Sequence, residues 1–309
     1  MTQLLDVILP VFIVLGFGYV ARWRGLLSDD NVGALMGFAQ NFAVPCLLFS
    51  AISTLDLSQN FDVPLLVTFY TGALAGFVGG ILGGRYMFRR SWEDAVAFGF
   101  CGLFSNSVLL GLPIMERAFG PESLGPNYAI VSIHAASCYG LGMTVMEITR
   151  ARGAPARQLP GKVLRAMFKN ALILGVVTGF AVNLSGITVP GVVTSALDLM
   201  VRAALPTALF ALGGVLYRYR PEGDLRAAFF VVSLSLVLHP GVVWVLGQAL
   251  DLSEAQFRSA VVTAAMAPGV NTFLFANMYG AARRVAATSV LLGTGASIFS
   301  VWFWLYLLG

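Results

Sequence analysis

The sequence predicts an all-α membrane protein, and three observations carry that prediction. Of 309 residues, 58% are apolar and 11% charged, against roughly 25% charged residues in soluble domains. Mean hydropathy is +0.81. Near charge-free windows of span length recur from one end of the chain to the other. A single soluble core stops growing near about 250–300 residues and still presents a polar surface, so a soluble enzyme, a nucleic-acid module and a disordered protein are all excluded. The net charge of +4 and pI near 9.1 are explained by where the basic residues sit, and no nucleic-acid partner is expected.

A hydrocarbon core about 30 Å thick needs roughly 20 helical residues per crossing. Ten windows meet that length: 4–22, 32–54, 63–84, 95–118 and 124–147, then 166–186, 189–217, 227–250, 256–280 and 286–308. No Lys or Arg precedes the first window and no small-residue cleavage site follows it, so it is expected to be a retained span and not a signal peptide. The sixth and seventh are parted only by the turn residues between Asn183 and Pro190-Gly191. Irregular backbone cannot satisfy itself in lipid, so each window is expected to be helical, and the segments are too long for a β-barrel. Cys46, Cys101 and Cys138 lie in apolar runs and read as packing residues.

Lys and Arg fix the orientation. Loops after odd-numbered spans hold 16 of them; the opposite side holds only Arg117 and Arg258, and Arg202 lies within a span. By the positive-inside rule both termini face outside, as expected of a multi-pass protein of the cell inner (plasma) membrane.

The basic stretch from Arg150 to Lys169, with Pro155 and Pro160, divides the spans five and five. The expected organisation is a first repeat over 1–150, a basic cytoplasmic linker over 151–165 and a second repeat over 166–309. An odd number of spans per half makes the repeat inverted, the layout common in secondary transporters. Internal similarity supports it. Asn41-Phe-Ala-Val-Pro45-Cys-Leu-Leu-Phe49 and Arg202-Ala-Ala-Leu-Pro206-Thr-Ala-Leu-Phe210 share Pro and Phe at one offset, and Ala118-Phe-Gly120 matches Met278-Tyr-Gly280 at nearly the same offset.

The fourth and ninth spans carry the candidate site. Ser105-Asn106-Ser107-Val-Leu-Leu-Gly111-Leu-Pro113 and Ala267-Pro268-Gly269-Val-Asn271-Thr272 combine a helix breaker with Ser, Thr or Asn groups that replace the lost backbone partners. Each second half-helix then aims its positive N-terminal end inward, and two such ends make a site for a small anion. Pro, Gly and Ser also occur in membrane helices as packing and glue; a break in the matching span of each half favours a site.

At these residues the chain resembles the auxin efflux carrier family of permeases, which includes plant auxin exporters and bacterial malonate-type carriers. The resemblance rests on Asn41-Phe-Ala-Val-Pro45, on Ser105-Asn106-Ser107 through Gly111-Leu-Pro113 to Gly120, and on Pro268-Gly-Val-Asn271-Thr-Phe through Tyr279-Gly280. It implies the fold of bile-acid and sodium/proton carriers, in which two broken helices cross. It implies an elevator carrier, with spans 1, 2, 6 and 7 as a scaffold that often dimerises and spans 3–5 with 8–10 as the moving domain. Asn106 matches the crossover asparagine that contacts substrate carboxylate in the family; Pro113 belongs to the same motif, and Pro268 with Asn271 marks the second crossover. The short central loop is similar to the bacterial members. Lys169-Asn170-Ala171 departs from the Asn-Pro of many of them.

Intramembrane charge points to function by default. Asp198 and Arg202, four residues apart, share a helix face and are expected to pair, with gating as the other reading; His134 and His239 read as core histidines or proton relays. No carboxylate sits in either break. Coupling to Na⁺ or H⁺ therefore stays open, with Gln40, Asn41, Ser105, Asn106 and Asn271 as neutral oxygen donors. No catalytic or metal-ligating constellation is present: no paired aspartates, zinc motif or Ser–His arrangement. The expectation is a carrier for a small organic carboxylate held by Ser105, Asn106, Ser107, Gly111, Pro113, Pro268, Asn271, Thr272 and Asn41, with no resident cofactor, the bilayer as solvent and a homodimer through the scaffold helices. An anion channel or membrane sensor of the same fold is the alternative. Malonate-like dicarboxylates, monocarboxylates and indole acids all fit as substrate.

Overall fold

The computed structural model describes residues 2–150, 161, 170–219, 221 and 223–309, and among them every regular element is helical. The α-helices in chain order are α1 (Thr2–Trp23), α2 (Asp29–Phe38), α3 (Val44–Ser53), α4 (Leu57–Asn60), α5 (Val63–Leu82), α6 (Trp92–Leu103), α7 (Leu112–Phe119) and α8 (Gly125–Arg150). They continue with α9 (Ala171–Ser185), α10 (Gly191–Arg218), α11 (Leu225–Ser233), α12 (His239–Ala249), α13 (Glu254–Ala264), α14 (Val270–Tyr279) and α15 (Arg283–Leu308). Among the described residues, seven helical stretches are long and apolar enough to cross a membrane: Asp6–Trp23, Asp29–Ser53, Val63–Met87, Pro121–Arg150, Gly191–Arg218, Leu225–Ala249 and Arg283–Leu308. The other three expected windows differ. The window at 95–118 is divided between α6 and α7, that at 256–280 between α13 and α14, and that at 166–186 supplies the shorter apolar α9. The start of that last window lies outside the described residues, as does the linker expected over 151–165 except Gly161.

Proline shapes three of the helices in one way. The π-helical turns Ala39–Ala43, Ser107–Gly111 and Leu234–Leu238 each end two residues before a proline, at Pro45, Pro113 and Pro240. In each, the residue preceding proline donates its N–H five residues back: Val44 to Ala39, Leu112 to Ser107 and His239 to Leu234. A proline ring clashes with the carbonyl four residues earlier; one widened turn relieves the clash and lets the helix continue.

The chain divides into two compact units. The first comprises Met1–Ile8, Phe61–Val163 and Tyr219–Gly309. Its α5 and α6 meet backbone to backbone, where a Cβ at Gly76 would lie 2.3 Å from the Gly102 carbonyl oxygen. Glycine is required there because only its absent side chain permits that approach. Leu65, Phe69, Ile130, Val243 and Trp304 form part of the core of this unit. The second unit comprises Leu9–Asn60 and Leu164–Arg218. Here α10 presses on α1, with a Cβ at Gly213 destined for 1.8 Å from the Leu15 carbonyl oxygen. The Asn183 amide donates to the carbonyls of Ile52 at 2.9 Å and Leu55 at 2.8 Å, satisfying groups that the end of α3 leaves open.

Candidate substrate site

The site is built where two helices of the first unit stop. Helix α6 starts on Ser91, whose hydroxyl accepts the Asp94 N–H at 3.1 Å, with Glu93 and Asp94 in its first turn. It ends at Leu103, after which Phe104 is extended. Helix α13 starts on a Ser253–Gln256 capping box and ends at Ala264. Between the two stops, the Asn106 N–H donates to the Ala267 carbonyl at 2.8 Å and the Gly269 N–H to the Phe104 carbonyl at 2.9 Å. These bonds form an antiparallel bridge of Ser105 with Pro268. Pro268 is tolerated because neither bond asks it for an N–H.

A new helical segment leaves the bridge on each side. One begins at Ser107 and runs through the π turn into α7; the other is α14, beginning at Val270. Neither has a side-chain cap at its start. The first N–H groups of a helix lack intrahelical partners and carry its positive end. Two such ends start from one bridge, and the segments around it contain no carboxylate and no Lys or Arg. The arrangement suits a small anion without burying a cation.

The side chains follow the backbone. Asn106 is 5% exposed, its carbonyl accepts from the Leu110 and Gly111 N–H groups, and its side-chain amide nitrogen is buried without a partner. The Ser105 and Ser107 hydroxyls bond each other at 2.8 Å. A Cβ added at Gly111 would lie 3.5 Å from the Met266 side chain, and Pro113 is buried early in α7. Asn271, half-buried, accepts the Tyr139 hydroxyl on Oδ1 at 3.2 Å, a bond that uses its acceptor and not its amide N–H donors. Thr272 is fully buried; its hydroxyl donates to the Gly269 carbonyl at 2.7 Å and also bonds Cys101, so it serves the local turn. Asn41 is an exposed residue of the second unit, on the π turn ahead of Pro45. Gln40 lies beside it.

His134 on α8 is buried against the bridge. A backbone bond ties it to Ser105, Cys138 Sγ is 3.7 Å from its Nδ1, and the Phe104 ring meets it edge-on at 4.8 Å. The expected Asp198–Arg202 pair is corrected: both residues are exposed on α10 and no ion pair joins them. Sharing a helix face permits pairing but does not enforce it when solvent or headgroups solvate both ends. Tyr139, with Phe100 and Phe104 at ring distances of 5.4 and 5.7 Å, has no signal in the sequence, where it is one aromatic residue in an apolar run. Among the described residues no group of three or more His, Cys, Asp or Glu is placed to hold a metal, and the three cysteines are free.

The sequence is similar to those of known proteins. The sequence matches the family described as membrane transport protein over residues 4–305. It is 26% identical to a protein of Rhizobium meliloti (strain 1021) named "Putative malonate transporter", covering 100% of this chain and 97% of that one. It is 22% identical to the uncharacterized transporter YfdV of Escherichia coli (strain K12), over 97% of this chain and 96% of its relative. It is 20% identical to auxin efflux carrier component 8 of Arabidopsis thaliana, over 92% and 91%. With nearly the whole length matched and, among the described residues, seven helices able to cross a bilayer, the chain belongs to the auxin efflux carrier family of multi-pass membrane transporters.

Proposed function

We propose that this transporter is a carrier for a small organic carboxylate, with malonate as the first candidate because a relative alike over its whole length carries that name. The observation that carries the proposal is the pair of uncapped helix starts leaving the Ser105–Pro268 bridge beside the unpartnered amide of Asn106. Substrate carboxylate takes the backbone N–H groups at the two helix starts together with the amides of Asn106 and Asn271. Ser105, Ser107, Gly111, Pro113, Pro268 and Thr272 shape and hold the turns, with Asn41 as a further candidate ligand. Helix ends aimed at an anion supply charge complementarity without the desolvation cost of a buried ion.

In this reading α6–α7 and α13–α14 are two broken crossing spans, α9 with its preceding residues is the sixth span, and ten spans form an inverted five-plus-five repeat. Both termini face outside the inner membrane, and the basic residues of the odd-numbered loops face the cytoplasm. The division into two compact units supports an elevator cycle: the unit made of Phe61–Val163 and Tyr219–Gly309 carries the bridge and moves, and the unit made of Leu9–Asn60 and Leu164–Arg218 is the scaffold. The scaffold helices hold a homodimer, and Asp198 and Arg202 act at its surface.

The test is counterflow in liposomes containing the purified protein. Labelled malonate entering against an excess of internal unlabelled malonate overshoots equilibrium through a carrier. A monotonic approach to equilibrium would replace the carrier with a channel, and exchange of monocarboxylates or indole acids in place of malonate would reassign the substrate.

A further inference from the structure

We propose that Arg117 is a positioning residue that ties the first turns of α1 to the substrate-holding unit, with Pro10 as the hinge at which α1 bends during transport; this rests on the carrier reading above. The division of the chain into two units falls inside α1, between Ile8 and Leu9, and the residues up to Ile8 belong with the unit that carries the bridge. Pro10 stands just past that division, inside the helix. In an α-helix the Asp6 carbonyl takes the N–H of residue 10. Proline has none to give, and its ring crowds that same carbonyl. The Arg117 guanidinium supplies the missing donor. Its Nη2 donates to the Asp6 carbonyl at 2.9 Å and its Nε to the Val7 carbonyl at 3.0 Å, and hydrogen bonds from a charged donor are the stronger kind.

Arg117 lies on α7, the half-helix that follows the π turn leaving the bridge. Two residues on, the Phe119 ring lies 4.6 Å from the Arg258 guanidinium, and Arg258 pairs with Glu254 at 2.6 Å. Both of those residues are on α13, the half-helix that stops at the bridge from the other side. The far ends of the two half-helices are thus joined, and the first turns of α1 are pinned to that joint. The rest of α1 is fixed in the second unit, where a Cβ at Gly18 would lie 1.8 Å from the Phe210 carbonyl oxygen. A helix held at its two ends by different units resists displacement of one against the other unless it bends. It bends at least cost at proline, where no main-chain N–H bond has to break. The hinge therefore lies where an elevator movement needs it, and the arginine satisfies the carbonyls that the hinge leaves open.

The experiment measures labelled malonate counterflow in liposomes for Pro10→Ala, Arg117→Gln and the double variant. Pro10→Ala restores the N–H and with it a helix bond that every bend must break. The maximal exchange rate falls about fivefold, as for one neutral hydrogen bond, while the malonate concentration for half-maximal exchange stays at the wild-type value. Arg117→Gln releases the first turns of α1, so Pro10→Ala added to it slows exchange no further, and the two changes are non-additive. An unslowed Pro10→Ala, a shifted half-maximal concentration or losses that add overturn the proposal. If a variant does not fold, a cross-link decides. Val7→Cys with Arg117→Cys, in a Cys46→Ser background that leaves only the buried Cys101 and Cys138, is joined by a flexible bis-maleimide. Segments that travel together keep exchanging after the link forms; exchange blocked by the link overturns the proposal. Absence of malonate counterflow in the wild type overturns the carrier reading and the hinge with it, whereas contrary results confined to the variants overturn the hinge alone.

Discussion

The two units solve different problems with similar composition. All sixteen buried polar side chains among the described residues, from Thr68 to Ser297, belong to the first unit, and the second has none. The first unit contains both interrupted helix pairs and the buried histidines; in the second no polar side chain is fully buried, and Asn41, Asp198 and Arg202 lie exposed. A buried polar group in lipid-facing protein is kept only where backbone interruption or a ligand requires it. In the proposed carrier this contrast separates the unit that binds substrate from the one that supports it, and each unit has its own way of being broken.

Packing contacts give the largest effects. Gly213→Leu in the second unit and Gly76→Leu in the first each drive a side chain into a backbone carbonyl, at 1.8 and 2.3 Å for the Cβ alone. Each is expected to reach or exceed the upper end of the about 1–3 kcal/mol of overpacking. The measurement is the fraction of monodisperse protein after extraction. Well-folded Gly213→Leu would show that α1 and α10 do not touch as described.

The next effect is confined to the first unit and to function. Asn106→Ala removes the unpartnered amide, so stability holds while malonate exchange falls by about tenfold to a hundredfold, matching about 1.5–3 kcal/mol for a hydrogen bond to a charged group. Thermal unfolding and counterflow are read on one preparation; normal exchange removes Asn106 from the site. Tyr139→Phe is smaller. It frees Asn271 to turn, which raises the malonate concentration for half-maximal exchange about fivefold, in line with about 1 kcal/mol for one neutral bond. An unchanged value means that Asn271 is held by other groups.

The legibility of these features in the sequence follows their physics. The lipid solvent and the helical class come from composition and window length, because the bilayer imposes them on every span. Pro113, Pro268, Ser105 and Asn106 stood out because breakers and their polar replacements are local in sequence. The bonds from Asn106 to Ala267 and from Tyr139 to Asn271 join residues more than 130 positions apart, and no local pattern encodes them. Thr272 shows what proximity leaves out: its position in the motif points to substrate, and only the structure shows that its hydroxyl also donates to the Gly269 carbonyl. The π turns ahead of Pro45, Pro113 and Pro240 were hidden for a different reason, since a proline in a window announces a disturbance but not whether the helix bends, breaks or widens.

The smallest effects test two acids at helix positions that the sequence does not distinguish. Asp224 caps α11, accepting the Ala227 N–H at 3.2 Å, and pairs with Arg90 at 2.8 Å. Its carboxyl is held below the usual carboxylate range, first by the Ala227 N–H; burial, the next largest effect, works against this, and Arg90 adds to the lowering. A depressed value in the folded state means that the stabilisation is present above the unfolded value, 3.8, and is lost as pH falls through the depressed one. Asp224→Ala is expected to cost about 1 kcal/mol at neutral pH, as for loss of an N-cap. The gap to wild type should stay level down to about pH 4 and close below it, since the charge then disappears from wild type too. Asp198→Asn removes a charge that no ion pair uses and leaves the melting temperature unchanged at every pH. Thermal unfolding of both variants in detergent across pH 3–7 reads the two together. A destabilised Asp198→Asn would restore its pairing with Arg202 and place working chemistry in the second unit, which would end the division between a reactive unit and a passive one.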